Sequence, residues 1–337
     1  MASPAAAASS RTAAPHGATT QQASVAASVK PGTLTNHWND DPGDKPLIYV
    51  NGKMLPKRDA VVSVYDHGLL YGDGVFEGIR IYRGKIFMCQ SHMDRLYRCA
   101  EEIHLKIPIS QREMVQVMRD CISANNLAEG YIRLVITRGF GTLGLDPRRC
   151  PVAGVICIAD QIRLYPEEAY EAGMKVVVAQ RPKTPVACLD PRIKSLNYLN
   201  NILAKCEAID AGCDEAIMLS TDGYVTECTG DNIFVIKNGK MFTPPPICGQ
   251  SGLLEGVTRK FVMETLARDC KVSCEEKLMR LDEVLGADEV FLTGTAAEII
   301  AVHSVGDFPI SKGEGPITRA LRQRFRDIVT SDHVPED

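Results

Sequence analysis

Lys194 stands in Pro191-Arg192-Ile193-Lys194-Ser195-Leu196-Asn197-Tyr198, one amine between an arginine and a run of small, apolar and amide residues, with a tyrosine four positions on. Burial disfavours the charged form of an amine, and a lysine so placed can form a Schiff base with a carbonyl. Alone the signal is slight, because most lysines near a helix start are solvated surface charges. Three later stretches give it company. Gly223-Tyr224-Val225-Thr226-Glu227-Cys228 reads as a strand that sets one carboxylate beside a polar break, ahead of the apolar Asn232-Ile233-Phe234. Gly252-Leu253-Leu254-Glu255-Gly256-Val257-Thr258-Arg259 opens an amphipathic helix, and Thr293-Gly294-Thr295-Ala296-Ala297-Glu298 ends a strand on glycine and hydroxyl residues.

A lysine, a later acid and two small-residue turns with donors suit a phosphorylated aldehyde carrying a ring nitrogen, which is pyridoxal phosphate. A phosphate dianion wants a helix N-terminus and a cation. The amides of Val257 and Thr258 and the Thr258 hydroxyl are natural donors, and Gly256 lets the backbone come close. Tyr131-Ile132-Arg133 puts a phenol and a guanidinium on one face of a strand, because their spacing is two.

Seven motifs follow in order: Val75-Phe76-Glu77-Gly78-Ile79-Arg80, His92-Met93-Asp94-Arg95-Leu96, Tyr131-Ile132-Arg133, Lys194-Ser195-Leu196-Asn197-Tyr198, the run from Glu227 to Phe234, Gly256-Val257-Thr258 and Gly294-Thr295-Ala296-Ala297-Glu298. Across roughly residues 47–305 they resemble the fold-type-IV pyridoxal-phosphate aminotransferases, specifically the branched-chain amino acid aminotransferases of the short bacterial type. The resemblance implies a two-domain α+β and α/β fold, like that of D-amino-acid aminotransferases, with a small α+β domain followed by a larger mixed-sheet pseudo-barrel.

It also implies roles. Lys194 would hold the cofactor aldehyde and move the substrate's α-proton. Glu227 would pair with the pyridine nitrogen, Tyr198 would bond the ring's 3′ oxygen, and Leu254 would pack on the ring face. Arg95 would be the phosphate's cation, a choice the residues alone leave open to Arg98 or Arg80, with Thr295 adding a hydroxyl. One arm of the Tyr131/Arg133 pair would meet the distal carboxylate of glutamate; swung aside, it would leave Phe76, Tyr71 and Tyr131 as an apolar wall, with Gly78 beside them. Thr295 and Ala296 would offer amides to the α-carboxylate. Tyr71 and the loop at 143–145 would reach a neighbouring subunit, implying a homodimer. The implied reaction is transamination between leucine, isoleucine or valine and 2-oxoglutarate, with no metal.

D-amino-acid aminotransferases and aminodeoxychorismate lyases share the lysine, the acid and the phosphate turn. The D-specific enzymes carry Arg-x-His in the loop after the third strand, and residues 139–147 hold no such triplet. A non-catalytic cofactor-binding relative would need a broken motif, and none is broken.

The elements that must position these residues are legible in outline. Strands are expected at 47–50, 61–64, 131–138, 152–159, 174–180, 215–220, 224–228, 232–237, 289–293 and 298–303, with a hairpin over 77–87. Helices are expected from a Ser91 cap to His104, from the Ser110-x-x-Glu113 capping box to Asn126, and over 198–211, 257–268 and 317–328. The domains would span 45–160 and 174–337, joined by a linker at 161–173. Residues 1–44 hold no acidic residue before Asp40 and read as a disordered extension or an organellar transit peptide, so the compartment is cytoplasmic or organellar. The net charge of −4 offers no footprint for nucleic acid, and no apolar run is long enough to cross a membrane. Twelve cysteines without a Cys-x-x-Cys pair argue for free thiols, with Cys121, Cys157 and Cys206 at apolar positions of periodic segments.

Overall fold

The computed structural model describes residues 45–162 and 167–336, so the readings for residues 1–44 lie outside the described residues. The first sheet has β1 (Leu47–Val50), β2 (Lys53–Pro56), β3 (Gly74–Tyr82), β4 (Lys85–Ile86), β5 (Gly130–Thr137) and β6 (Gly154–Asp160). Their order is β2-β1-β6-β5-β3-β4, and each pairing is antiparallel. Asn51 and Gly52 turn β1 into β2 with φ of 48° and 90°, the left-handed pair that a two-residue hairpin needs. Between strands lie α1 (His67–Tyr71), α2 (Cys89–Glu102) and α3 (Gln111–Ala124). Met93 and Leu96 of α2 and Met114 and Met118 of α3 pack on Ile79, Ile81, Ile132 and Leu134. Because side chains alternate along a strand, that leaves Phe76, Gly78 and Arg80 of β3 on the opposite face, toward the second sheet.

The second sheet is mixed and curls into a half-barrel. It holds β7 (Met174–Val178), β8 (Glu215–Leu219), β9 (Val225–Cys228), β10 (Asn232–Lys237) and β11 (Lys240–Thr243); a separate hairpin of β12 (Ile247–Cys248) and β13 (Ser251–Gly252) follows, and β14 (Cys274–Glu276), β15 (Glu289–Gly294), β16 (Glu298–Val305) and β17 (Phe308–Pro309) return to the sheet. β7 runs parallel to both β8 and β16, and β11 parallel to β14. Its helices are α4 (Glu167–Ala172), α5 (Leu199–Asp210), α6 (Val257–Phe261), α7 (Leu281–Leu285) and α8 (Pro316–Val329). α6 passes through a π-helical stretch, Val262–Leu266, into Ala267–Asp269. Tyr82 and Phe87 of the first sheet's hairpin pack edge-on against Phe325, and Phe87 also meets Phe261, so an aromatic cluster bolts the sheets together. Among the described residues no helix is long and apolar enough to cross a membrane.

Several expectations fail for physical reasons. Residues 61–64 form no strand: Val61 and Val64 are exposed, and β1 pairs instead with Lys53–Pro56. Ser91 caps nothing. α2 begins at Cys89 behind Met88, and the tail at the far end of the sequence takes the free amides, Met88 N–H donating to the Pro335 carbonyl and Gln90 N–H to that of Glu336. The stretch read as a linker holds the short helix Glu167–Ala172, which is compatible with a connecting segment. Cys121 and Cys157 are buried, but Cys206 is exposed, on a face of α5 shared with Leu199, Ile202 and Ile209. The Ser110 box forms as read, Ser110 and Glu113 each bonding the other's backbone N–H.

Candidate active site

Lys194 is fixed at its base by the backbone. Phe76 N–H donates to the Lys194 carbonyl at 3.0 Å, and Leu196 N–H to that of Gly74 at 2.9 Å, so the segment lies antiparallel against the start of β3. Lys194 N–H also points at Cys99 Sγ, 3.3 Å away. From this footing the half-buried Nζ donates to Tyr198 Oη at 3.1 Å and lies 4.5 Å from the centre of the Phe76 ring. Tyr198, at the N-cap of α5, meets Phe76 edge-on with centroids 5.0 Å apart.

Glu227 sits in β9, a strand buried at every position. Its Oε2 accepts from Asn232 Nδ2 and from Leu254 N–H, both at 3.1 Å, and Asn232 Nδ2 also reaches the Leu254 carbonyl at 2.9 Å. Oε1 faces the buried Lys183, whose Nζ is 2.6 Å away. Neither Asn232 nor Lys183 was singled out from the sequence. The asparagine also explains Gly256, where a Cβ would fall 2.1 Å from Asn232 Oδ1. The glycine expected for approach of a ligand is thus also demanded by a neighbouring amide.

α6 begins at Gly256 without a side-chain cap, which leaves the amides of its first turn, at Val257 and Thr258, for a ligand. Both residues are buried. Arg95, on α2, reaches this end of the site: Nη1 donates to the Glu255 carbonyl at 2.9 Å, while Nε and Nη2 grip the two oxygens of Glu77, each at 2.7 Å. His92 Nδ1 adds a third contact to Glu77 at 2.8 Å. Burial would raise the Glu77 carboxyl, but Arg95 and His92 outweigh it and hold the group well below the usual carboxylate range. The other two arginines are placed differently. Arg98 is 42% exposed and pairs with the Glu255 carboxylate, and Arg80 turns to Glu298 while stacking on Tyr82.

Across β3 and β5, Arg133 lies opposite Gly78 and Tyr131 opposite Arg80. The Arg133 guanidinium hangs 4.7 Å from the Phe76 ring centre and 5.5 Å from that of Tyr131. A Cβ on Gly78 would lie 1.8 Å from Tyr131 Oη, so only glycine leaves room for that phenol. Thr295 and Ala296 form the turn between β15 and β16, half-buried and exposed respectively. Beneath them Asp231 Oδ1 crowds Gly294, where a Cβ would stand 1.9 Å away. Burial, reinforced by Glu215, pushes the Asp231 carboxyl up to about 7. Tyr71 has other company: its ring meets His67 at 5.0 Å, and its hydroxyl accepts Gly144 N–H at 3.0 Å. Tyr71, Leu143 and Leu145 are all exposed.

Residues 74–305 match the family described as amino-transferase class IV. A relative from Methanocaldococcus jannaschii, named putative branched-chain-amino-acid aminotransferase, is 46% identical over 284 residues, 84% of this chain and 96% of its own. The Escherichia coli branched-chain amino acid aminotransferase structure superposes with a TM-score of 0.81 at 34% identity, covering 86% of this chain and 96% of that one. The branched-chain amino acid aminotransferase from Thermobaculum terrenum, in its PLP-form, gives a TM-score of 0.76 at 28% identity, covering 86% and 95%.

Proposed function

The chain belongs to the class IV aminotransferases, and on that premise we propose that it moves amino groups between leucine, isoleucine or valine and 2-oxoglutarate, with pyridoxal 5'-phosphate as cofactor. One observation carries the substrate reading. Lys194 and Arg133 both lie against the Phe76 ring, at 4.5 and 4.7 Å from its centre. A reactive amine thus shares one apolar ring with a guanidinium that is half-buried and, among the described residues, not locked in an ion pair. Such a wall can accept an aliphatic side chain or a second carboxylate in turn.

The residues present fit the cofactor. A buried cation, Arg95, is tied to the carbonyl beside an uncapped helix start, which suits a phosphate. Glu227 is held by three donors beside Leu254, which suits a ring nitrogen. The chemistry supplied by pyridoxal phosphate when bound is a carbonyl carbon for the amine and a ring that draws charge from the substrate's α-carbon. Lys194 would bind that carbonyl carbon, and its amine would serve as base and acid for the α-proton. Tyr198, which accepts from the Lys194 amine, would bond the ring oxygen. Val257, Thr258, Thr295 and Arg95 would hold the phosphate, and Leu254 would cover the ring. Thr295 and Ala296 hold the α-carboxylate, while Arg133 with Tyr131 meets the distal one. We assign residues 45–160 and 174–337 to two domains, and the exposed pair of Tyr71 and the loop at Gly144 to contact with a second copy.

The test is a single half-reaction. The yellow protein, mixed separately with L-leucine and D-alanine without any oxo acid, should bleach with L-leucine alone. Bleaching by D-alanine alone would move the assignment to the D-amino-acid enzymes. Lys194→Ala should abolish both the visible band and turnover, and a variant that keeps them would overturn the site as drawn.

A further inference from the structure

Lys183 takes no part in the roles assigned above, yet its ammonium is the nearest partner of Glu227. Its side chain is 5% exposed, and its Nζ stands 2.6 Å from Glu227 Oε1. The position is built rather than incidental. Lys183 N–H donates to the Leu219 carbonyl at 2.8 Å, its own carbonyl accepts from Ser251 Oγ at 3.0 Å, and the neighbouring Pro182 carbonyl accepts from Asn200 Nδ2 at 3.0 Å. A cavity of about 30 Å³, room for one water, opens between Lys183, Glu227, Tyr198 and Asn201.

We propose that Lys183 is a positioning residue for Glu227: it is the counter-ion of that carboxylate before the cofactor arrives, and afterwards it competes with the ring nitrogen for it. The proposal rests on the assignment of Glu227 to the ring nitrogen. The logic is one of partner count. A buried carboxylate needs a cation or a full set of donors. Glu227 has two neutral donors on Oε2 and one cation on Oε1. A protonated ring nitrogen brings a second cation to the same group. The two cations share one negative charge, so Lys183 loosens the grip of Glu227 on the ring, and without Lys183 the ring nitrogen becomes the only cationic partner.

The experiment compares two ligands of the apoprotein, pyridoxal phosphate and its 1-deaza analogue, in which a ring C–H replaces the nitrogen. Dissociation constants are measured by fluorescence quenching. In Lys183→Met the preference for the nitrogen-containing ring over the analogue should rise about tenfold, the equivalent of one pK unit of differential interaction. Lys183→Arg, which keeps the charge, should keep the wild-type preference and serves if the methionine variant does not fold. With arginine in place, Glu227→Gln should remove the preference. An unchanged preference in Lys183→Met, with both ligands weakened alike, would make Lys183 a packing residue and overturn the proposal; so would a falling preference. Wild-type protein that binds both rings equally would instead remove the assignment of Glu227 itself.

Discussion

Arg95 and Glu77 face each other as two forks, with Nε and Nη2 each 2.7 Å from one carboxylate oxygen inside the protein. Both side chains come from elements of the first sheet, α2 and β3, yet the third nitrogen of the arginine reaches across to Glu255 at the start of α6. Glu77 therefore holds a cation against the start of α6, which it does not itself touch.

Glu77→Gln keeps the shape and removes the charge. Leaving Arg95 buried without its counter-ion should cost about 3 kcal/mol of stability and weaken the affinity for pyridoxal phosphate more than that for pyridoxal, which lacks the phosphate. The acid limb gives the sign. The folded carboxyl lies below its ordinary value of 4.5, so its contribution is present above that pH and is lost as pH falls below it. Thermal melts should show wild type losing stability below pH 4.5 more steeply than the variant.

Gly78→Ala should push Tyr131 aside, since the new methyl would overlap its hydroxyl. The expected result is a loss of about tenfold in kcat/KM for L-leucine, with the bound cofactor's visible spectrum unchanged. A variant with wild-type kcat/KM would show that Tyr131 does not shape the substrate site.

Arg133→Gln should separate the two substrates. KM for 2-oxoglutarate should rise about thirtyfold, the loss of one charged hydrogen bond, while KM for L-leucine stays within about threefold. Equal changes in both would mean that Arg133 merely supports the wall.

Asp231→Asn should stabilise the apoprotein in alkali. The Asp231 carboxyl is raised from 3.8 to about 7, so the folded state holds its proton more tightly and stability declines as pH rises between those values. The variant escapes that decline. Its Tm should exceed that of wild type by about 3 °C above neutrality and match it in acid. The inverse pattern would place Asp231 in an ion pair.

Most of the strands, the two longer helices of the first sheet and the segment that sets Lys194 beside Tyr198 were legible, because period-two runs, a capping box and family motifs are local signals. The roles of Glu77 and Asn232, though both stand inside the family's motifs, and of Lys183 were not. Each acts through a partner distant in the chain or across a turn, as Lys183 does across the fold to Glu227, and no spacing rule announces such a pair. Glu77 did leave one trace, an acid set among apolar residues in Val75-Phe76-Glu77-Gly78-Ile79-Arg80. The Ser91 cap failed for the opposite reason: a sound local rule lost to a segment from the far end of the sequence.

That far segment has a temporal consequence. Lys85, just before α2, precedes its partner Asp332 by 247 residues, and the amides of Met88 and Gln90 wait for Pro335 and Glu336 in the same way. A nascent chain on the ribosome therefore carries the helix of Arg95 with an open first turn throughout the synthesis of the second sheet. Those contacts at the start of the helix close only when residues 332–336 have emerged and folded back onto it.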